Sequence, residues 1–372
     1  MENEVLVFLD LQRTPHLVGR LWMRTRKDRE SATFEYDQNW LAHPERFSLE
    51  PALKLGPGPF HTASEQPLFG AIGDSAPDRW GRVLMRRAER RRAEREGQTP
   101  RTLREIDYLL MVDDEARMGA LRFARAEGGP FLAAYGRTRI PPLIELPRLL
   151  TAAENAANDT ETDEDLRLLL APGSSLGGAR PKASVRDRDG QLAIAKFPNK
   201  ADEVKTVLWE AVALTLAAKA GISVPVWRIE NVGKKPVLLL KPFDREGGMG
   251  LPFLSAMSML AAKDNEATWS SSTYFASMEQ RPKRTCMPYG GALYFSILIS
   301  NTDDHLRNHG FLWVGPARLA LVKQPMTSTP CRRISNRVCS RLHPLCRTKQ
   351  SSTVHARLKY SSDRMAQRTV SP

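Results

Sequence analysis

Cysteine is scarce in this chain. There are four in 372 residues, and three of them, Cys331, Cys339 and Cys346, fall in the last 51. That usage excludes a disulfide-built secreted fold and makes a reducing, cytoplasmic compartment the expectation. Long apolar runs are also missing. No stretch of 18 uncharged apolar residues occurs, so no transmembrane helix is expected and no membrane partner. The start MENEVLVFLDLQR has no basic segment ahead of its apolar stretch, so it does not read as a signal peptide. Acidic residues are in short supply only locally. The chain carries 55 Lys+Arg against 42 Asp+Glu, a net +13. Residues 322–372 hold 11 of those basic residues and a single acid, Asp363. The remaining 321 residues carry 44 against 41, a net of only +3. The basicity belongs to the tail, so the body does not read as a nucleic-acid-binding surface. Hydrophobic and charged contents of 41% and 26% are those of a globular chain, and the length allows two or three domains.

Apolar and polar residues alternate in EVLVFLDLQ, HLVGRLWMR and SATFEYDQNWL, which predicts short strands. GDSAPDRWGRVLMRRAERRRAEREG opens on Asp/Pro turn chemistry and continues as a helix ending at Gly97. Its Glu–Arg pairs at helical spacing read as a solvated face rather than a nucleic-acid contact. IDYLLMVDD and MGALRFARA predict a further helix and strand, and residues 143–170 two helices around an acidic linker. LAIAKFP is a strand, VKTVLWEAVALTLAAKAGI a helix closed by Gly221, and PVLLLKPFD a strand running into a polar turn.

The residues that carry chemistry fall in one order. APGSSLGGARPKASV, residues 171–185, is a Gly/Ser loop ahead of a strand. Gly177 and Gly178 would let backbone N–H groups approach phosphate oxygens, and Lys182 could add a charged contact. The loop matches neither common phosphate-loop pattern, so a plain loop stays open. Lys196 lies on a strand and Glu210 on the following helix; they could pair across a nucleotide site or be a surface lysine and an exposed glutamate. In NTDDHLRNHG, Asp303 and Asn308 stand five apart, the spacing of a kinase catalytic aspartate and its magnesium-binding asparagine. His305 and His309 read as structural hydrogen-bonding residues rather than ligands. No matching Cys/His set supports zinc, in the tail or elsewhere.

SSLGGARPKA, AIAKFP, LLLKPFDR and NTDDHLRNHGF together resemble the HipA family of bacterial toxin kinases. FEYDQNWL, LFGAIGDSAPDRWGR and MGALRF are similar to that family's β-rich N-terminal part. The resemblance covers residues 1 to about 321. It implies an ATP- and Mg²⁺-dependent serine/threonine protein kinase, partnered by a small DNA-binding antitoxin of the HipB type. DNA would then be met only through the antitoxin, and an aminoacyl-tRNA synthetase is one substrate the resemblance suggests. It also implies roles. Asp303 would be catalytic, Asn308 a Mg²⁺ ligand and His305 a supporting residue. Lys196 would hold ATP phosphates. Lys241, Phe243 and Asp244 would lie at the hinge near adenine and ribose. Ser175 would be the autophosphorylated loop serine. The expected fold is α+β: a β-rich subdomain over 1–125, a distantly kinase-like small lobe over 126–240, and an incomplete helical catalytic lobe over 241–321.

One departure matters. Family members follow the catalytic loop with a motif like AYDINP, whose Asp is the second metal ligand. Here LALVKQPMTSTPCRRISNRVCSRLHPL stands instead. Met326 is ATG and Thr327 begins AC, so reading from the third base of each codon gives GAC, an aspartate, at that junction. From Val322 onward the same frame permits Q-A-A-Y-D-I-N-P. A frameshift near residue 322 is therefore expected, with 322–372 an out-of-frame tail that has no stable packing and an inactive kinase before it. The alternative is a non-catalytic antitoxin-binding module, or the product of a degraded gene.

Overall fold

The computed structural model describes residues 3–27, 29–132, 140–170, 180–200, 202, 205–262, 295–296, 298–299, 301, 306–315 and 319–323. The expectations for Ser175, Gly177, Gly178, Asp303 and His305, and for the tail from 324, lie outside these residues.

The N-terminal part is built on β1 (Asn3–Leu11), β2 (Thr14–Arg26) and β3 (Arg29–Tyr36). Period-two alternation turns Val5, Val7, Leu9 and Leu11 inward, and one buried face fixes the register. With β4 (Pro59–His61) and β5 (Leu121–Ala124) they form an antiparallel sheet of order β4-β3-β2-β1-β5. The stretch DQNWL, expected to prolong β3, is instead a helix, α1 (Gln38–Ala42). Asp37 accepts the N–H of Asn39 at 2.9 Å and so caps it, and Trp40 goes into the core. Next come α2 (Gly70–Gly73), the long α3 (Arg79–Arg95) and α4 (Glu105–Met111).

The second part opens with α5 (Leu146–Ala157) and α6 (Asp163–Leu170). A four-stranded antiparallel sheet follows, in the order β6-β7-β9-β8: β6 (Lys182–Arg186), β7 (Leu192–Lys196), β8 (Trp227–Val232) and β9 (Lys235–Leu240). Between β7 and β8 runs α7 (Thr206–Lys219). Both faces of this sheet are covered. Ala183, Val185, Ala195 and Leu239 pack against α3, α5 and α6, while Leu238 and Leu240 meet Val207, Ala211 and Leu214 of α7. Phe295, Leu298 and Ile299 pack on the other side of α7.

The last described part holds the ribbon β10 (Arg245–Glu246) and β11 (Met249–Gly250), then β12 (Phe253–Ser255), α8 (Ala256–Met259), β13 (His309–Trp313) and β14 (Leu319–Lys323). The register of the β13–β14 hairpin pairs His309 with Lys323. Asn308 lies just before the β13 end of that pairing.

These parts are joined by polar bonds as well as by packing. Arg245 donates to the carbonyl oxygens of Glu115, Arg117 and Gly119. Asp74 accepts from the N–H and Oγ of Ser255 at 2.7 and 2.8 Å. Phe47 stacks on Trp313 with ring centres 5.0 Å apart.

Candidate functional site

The sheet and α7 bring two expected residues together. Lys196 ends β7, and its Nζ donates to Glu210 Oε1 in the middle of α7. Glu210 faces the sheet because α7 packs its Val207, Ala211 and Leu214 there. A carboxylate so buried needs a bonded cation, since desolvating it alone costs several kcal/mol. Lys196 keeps a side-chain exposure of 20%, so its ammonium can still meet a ligand from outside the core.

Lys182 is placed differently from the loop reading. It is the first residue of β6, only 3% exposed, and its Nζ lies 2.6 Å from Asp78 Oδ2. Asp78 also caps α3, accepting the N–H of Gly81 at 2.8 Å through Oδ1. Trp80, two residues on, donates its ring N–H to the Lys182 carbonyl at 3.1 Å. Burial raises the Asp78 carboxyl and lowers the Lys182 ammonium. Lys182 is thus a buried cation paired with a carboxylate of the N-terminal part.

The three residues after β9 divide. Lys241 is exposed, and its N–H bonds the Val226 carbonyl at 2.8 Å. Phe243 lies against Phe253, Met118 and Ile194, beneath the junction of the parts. Asp244 is buried, and its Oδ2 accepts from Gly119 N–H and Arg245 Nη1, both at 2.6 Å. Its Oδ1 has no hydrogen-bond partner among the described residues. Asp244 is thus bolted to the N-terminal part, with one oxygen left over. Asn308 is buried at the end of a single 3₁₀ turn, beside the equally buried His309.

Among the described residues no group of three His, Cys, Asp or Glu could hold a metal ion. Asn308 is neutral and 2% exposed. These residues do not by themselves fit a Mg²⁺ site. Lys196 fits the phosphate end of a nucleotide, because it is cationic, held in place by Glu210 and reachable.

A cavity of about 290 Å³ lies where the parts meet, lined by Leu9, Leu49, Glu50, Met118, Phe253 and Trp313 among others. Glu50 is buried there and accepts the Ala71 N–H at 2.6 Å. Burial, with Asp74 nearby, pushes its carboxyl up to about 7. The folded protein therefore binds this proton more tightly than the unfolded chain. The resulting stability is complete below about 4.5 and is lost as pH rises to about 7. Glu50→Gln keeps an acceptor for Ala71 and removes the titration. Urea unfolding should show the variant gaining on the parent by about 2–3 kcal/mol between pH 4.5 and pH 8, at 1.36 kcal/mol per pKa unit. Parallel stability profiles would contradict this.

A β-rich part bolted to a sheet-and-helix part that carries a buried Lys–Glu pair defines an α+β protein, as the sequence led one to expect. Two family models match it. The HipA N-terminal domain covers residues 10–124 and the HipA-like C-terminal domain covers 174–322. The chain belongs to the HipA family. Its fold is similar to HipA of Shewanella oneidensis MR-1, solved as a toxin–antitoxin complex with HipB and operator DNA: TM-score 0.56, 16% identity, over 86% of this chain and 74% of that one. The proinflammatory kinase CtkA of Helicobacter pylori aligns over 50% of this chain and 78% of its own, at 16% identity and a TM-score of 0.36, too low to argue from. No curated protein matches the chain. Among the described residues no helix is long and apolar enough to cross a membrane.

Sequence reading missed Asp78, Arg117 and Arg245 as contributors to this region. Asp78 was legible only as turn chemistry ahead of a helix. Its partner lies 104 positions away, and nothing local to PDRW points there.

Proposed function

We propose that this chain is an ATP-binding HipA-type protein of a toxin–antitoxin pair, with the serine/threonine kinase site of that family, and that it transfers no phosphate as written. The observation that carries the nucleotide reading is the Lys196–Glu210 pair, a reachable lysine fixed at a strand end by a buried glutamate. Asp303 is the proposed catalytic carboxylate, Asn308 and the missing second aspartate the proposed metal ligands, and Ser175 the proposed autophosphorylation site. Lys241, Phe243 and Asp244 are the proposed residues near the adenine and ribose of a nucleotide. The match to the C-terminal family model stops at residue 322, where the out-of-frame reading begins, which supports a lost metal-binding motif. The Shewanella relative was solved with HipB and operator DNA, which supports a HipB-type partner, with DNA met through it. A cytoplasmic location goes with that partnership.

Titration with the fluorescent nucleotide mant-ATP tests the reading. The parent chain should bind it saturably, and Lys196→Met should weaken binding at least tenfold, since one charge-assisted contact contributes about 1.5–3 kcal/mol. No binding by the parent, or equal binding by the variant, would overturn it.

A further inference from the structure

Two lysines face each other across one pair of strands. The β6–β7 register sets Lys182 opposite Lys196. Strand alternation puts both on the α7 side of the sheet, together with Leu238, the partner of Lys196 on β9. Like charges directly opposed on neighbouring strands destabilise a sheet, and burial raises that cost. Each lysine needs its own carboxylate. Glu210 is bonded to Lys196 but also acts electrostatically on Lys182, so it is within the field of both. Asp78 arrives from the region matched as the HipA N-terminal domain and takes Lys182 at 2.6 Å. The other cation near Asp78, Arg82, is already held by both oxygens of Glu105, at 2.5 and 2.8 Å.

We propose that Asp78 is a positioning residue for Lys196. By holding Lys182 it leaves Glu210 to Lys196 alone. The N-terminal domain thereby sets the charge and place of the lysine on the kinase-like sheet. The consequence for ATP rests on the nucleotide reading above; the charge row itself does not.

Asp78→Asn isolates the charge, because the amide oxygen still caps Gly81 N–H and the size is unchanged. The readout is acetylation of Lys196 by acetic anhydride across pH 7–11, followed by mass spectrometry, with no nucleotide present. In Asp78→Asn, Lys182 turns to Glu210 and Lys196 loses its partner. Its labelling at pH 8 should rise about tenfold, because the ammonium has lost the carboxylate that holds its proton. Adding Lys182→Met removes the competitor and should return the profile to that of the parent. A folded Asp78→Asn with unchanged labelling overturns the proposal, as does a double variant that stays as reactive as the single one. Should Asp78→Asn fail to fold, Asp78→Glu carries the test: the displaced carboxylate should give a two- to threefold rise, and no rise overturns the proposal. Mant-ATP is titrated into the same proteins. If the parent binds none, the nucleotide reading fails while the labelling still decides the charge row.

Discussion

Arg117→Met should destabilise the fold by about 3–4 kcal/mol and lower the melting temperature by on the order of 10 °C. Arg117 is 1% exposed. Its guanidinium donates to the carbonyls of Ser75, Leu109 and Val112 at 3.2, 2.9 and 2.9 Å, and lies over the Phe123 ring at 4.7 Å. No carboxylate forms an ion pair with it among the described residues; Asp113 and Asp114 act only through their fields. Methionine fills similar space but leaves three buried acceptors unbonded, at about 1–3 kcal/mol each, and forfeits roughly 1 kcal/mol of cation–π attraction. Against this stands the relief of a charge whose pKa burial has pushed down to about 10. That relief is about 3 kcal/mol at most, so the orphaned carbonyls win. The same segment presents the Arg117 carbonyl to Arg245, so loss of its shape should also loosen the joint between the parts. Thermal unfolding with far-UV circular dichroism measures the effect, and a melting temperature within 2 °C of the parent would contradict it.

How much of this was legible in the sequence depends on how local each cause is. β1 and β2 announce themselves by period-two alternation, α5 and α6 by apolar faces at helical spacing, and α7 by an Ala- and Leu-rich run closed by Gly221. DQNWL misled because aromatic and apolar residues after a strand continue its pattern. The cap that Asp37 gives Asn39 decides for helix instead. Strand β8, WRIENV, passed unread: it has no buried residue and borrows its pairing from β9. Nothing in the two-residue turn Gln12–Arg13 signals a hairpin either. Both residues adopt positive φ, 52° and 69°, where Asn and Gly are the usual occupants. Here the paired strands on either side enforce the turn.

The site divides in the same way. Lys196 and Glu210 lie on consecutive elements, so their meeting could be expected from order alone. The Asp78–Lys182 pair and the Asp244–Gly119 bond join residues more than a hundred positions apart. They exist only because α3 and β5 dock onto the second sheet and the segment after it. Lys182, which the sequence placed beside a phosphate loop, is thus also paired with a carboxylate that only the fold brings near.

Restoring the reading frame after residue 321 should turn a silent chain into one that phosphorylates itself at Ser175, and Asp303→Ala in the restored protein should silence it again. Phosphoryl transfer rests on positioning and on neutralising charge at the transferring group. Asn308 is neutral and buried, so it cannot supply the negative ligand. On the proposed reading, an aspartate restored by the frame correction would supply it. Asn308 precedes His309, which pairs with Lys323, and the out-of-frame aspartate falls at the Met326–Thr327 junction, a few residues past that pairing. If Asp303 is the carboxylate that orients the attacking hydroxyl, as proposed, its removal should lower the rate by about 10²–10⁴-fold. Phosphopeptide mass spectrometry after incubation with Mg²⁺ and ATP reads all three proteins. Robust phosphate on the uncorrected chain would show that the lost aspartate is dispensable. A restored chain that binds mant-ATP and still carries no phosphate would overturn the kinase reading, while leaving the nucleotide site and the Asp78 charge row to be judged on their own measurements.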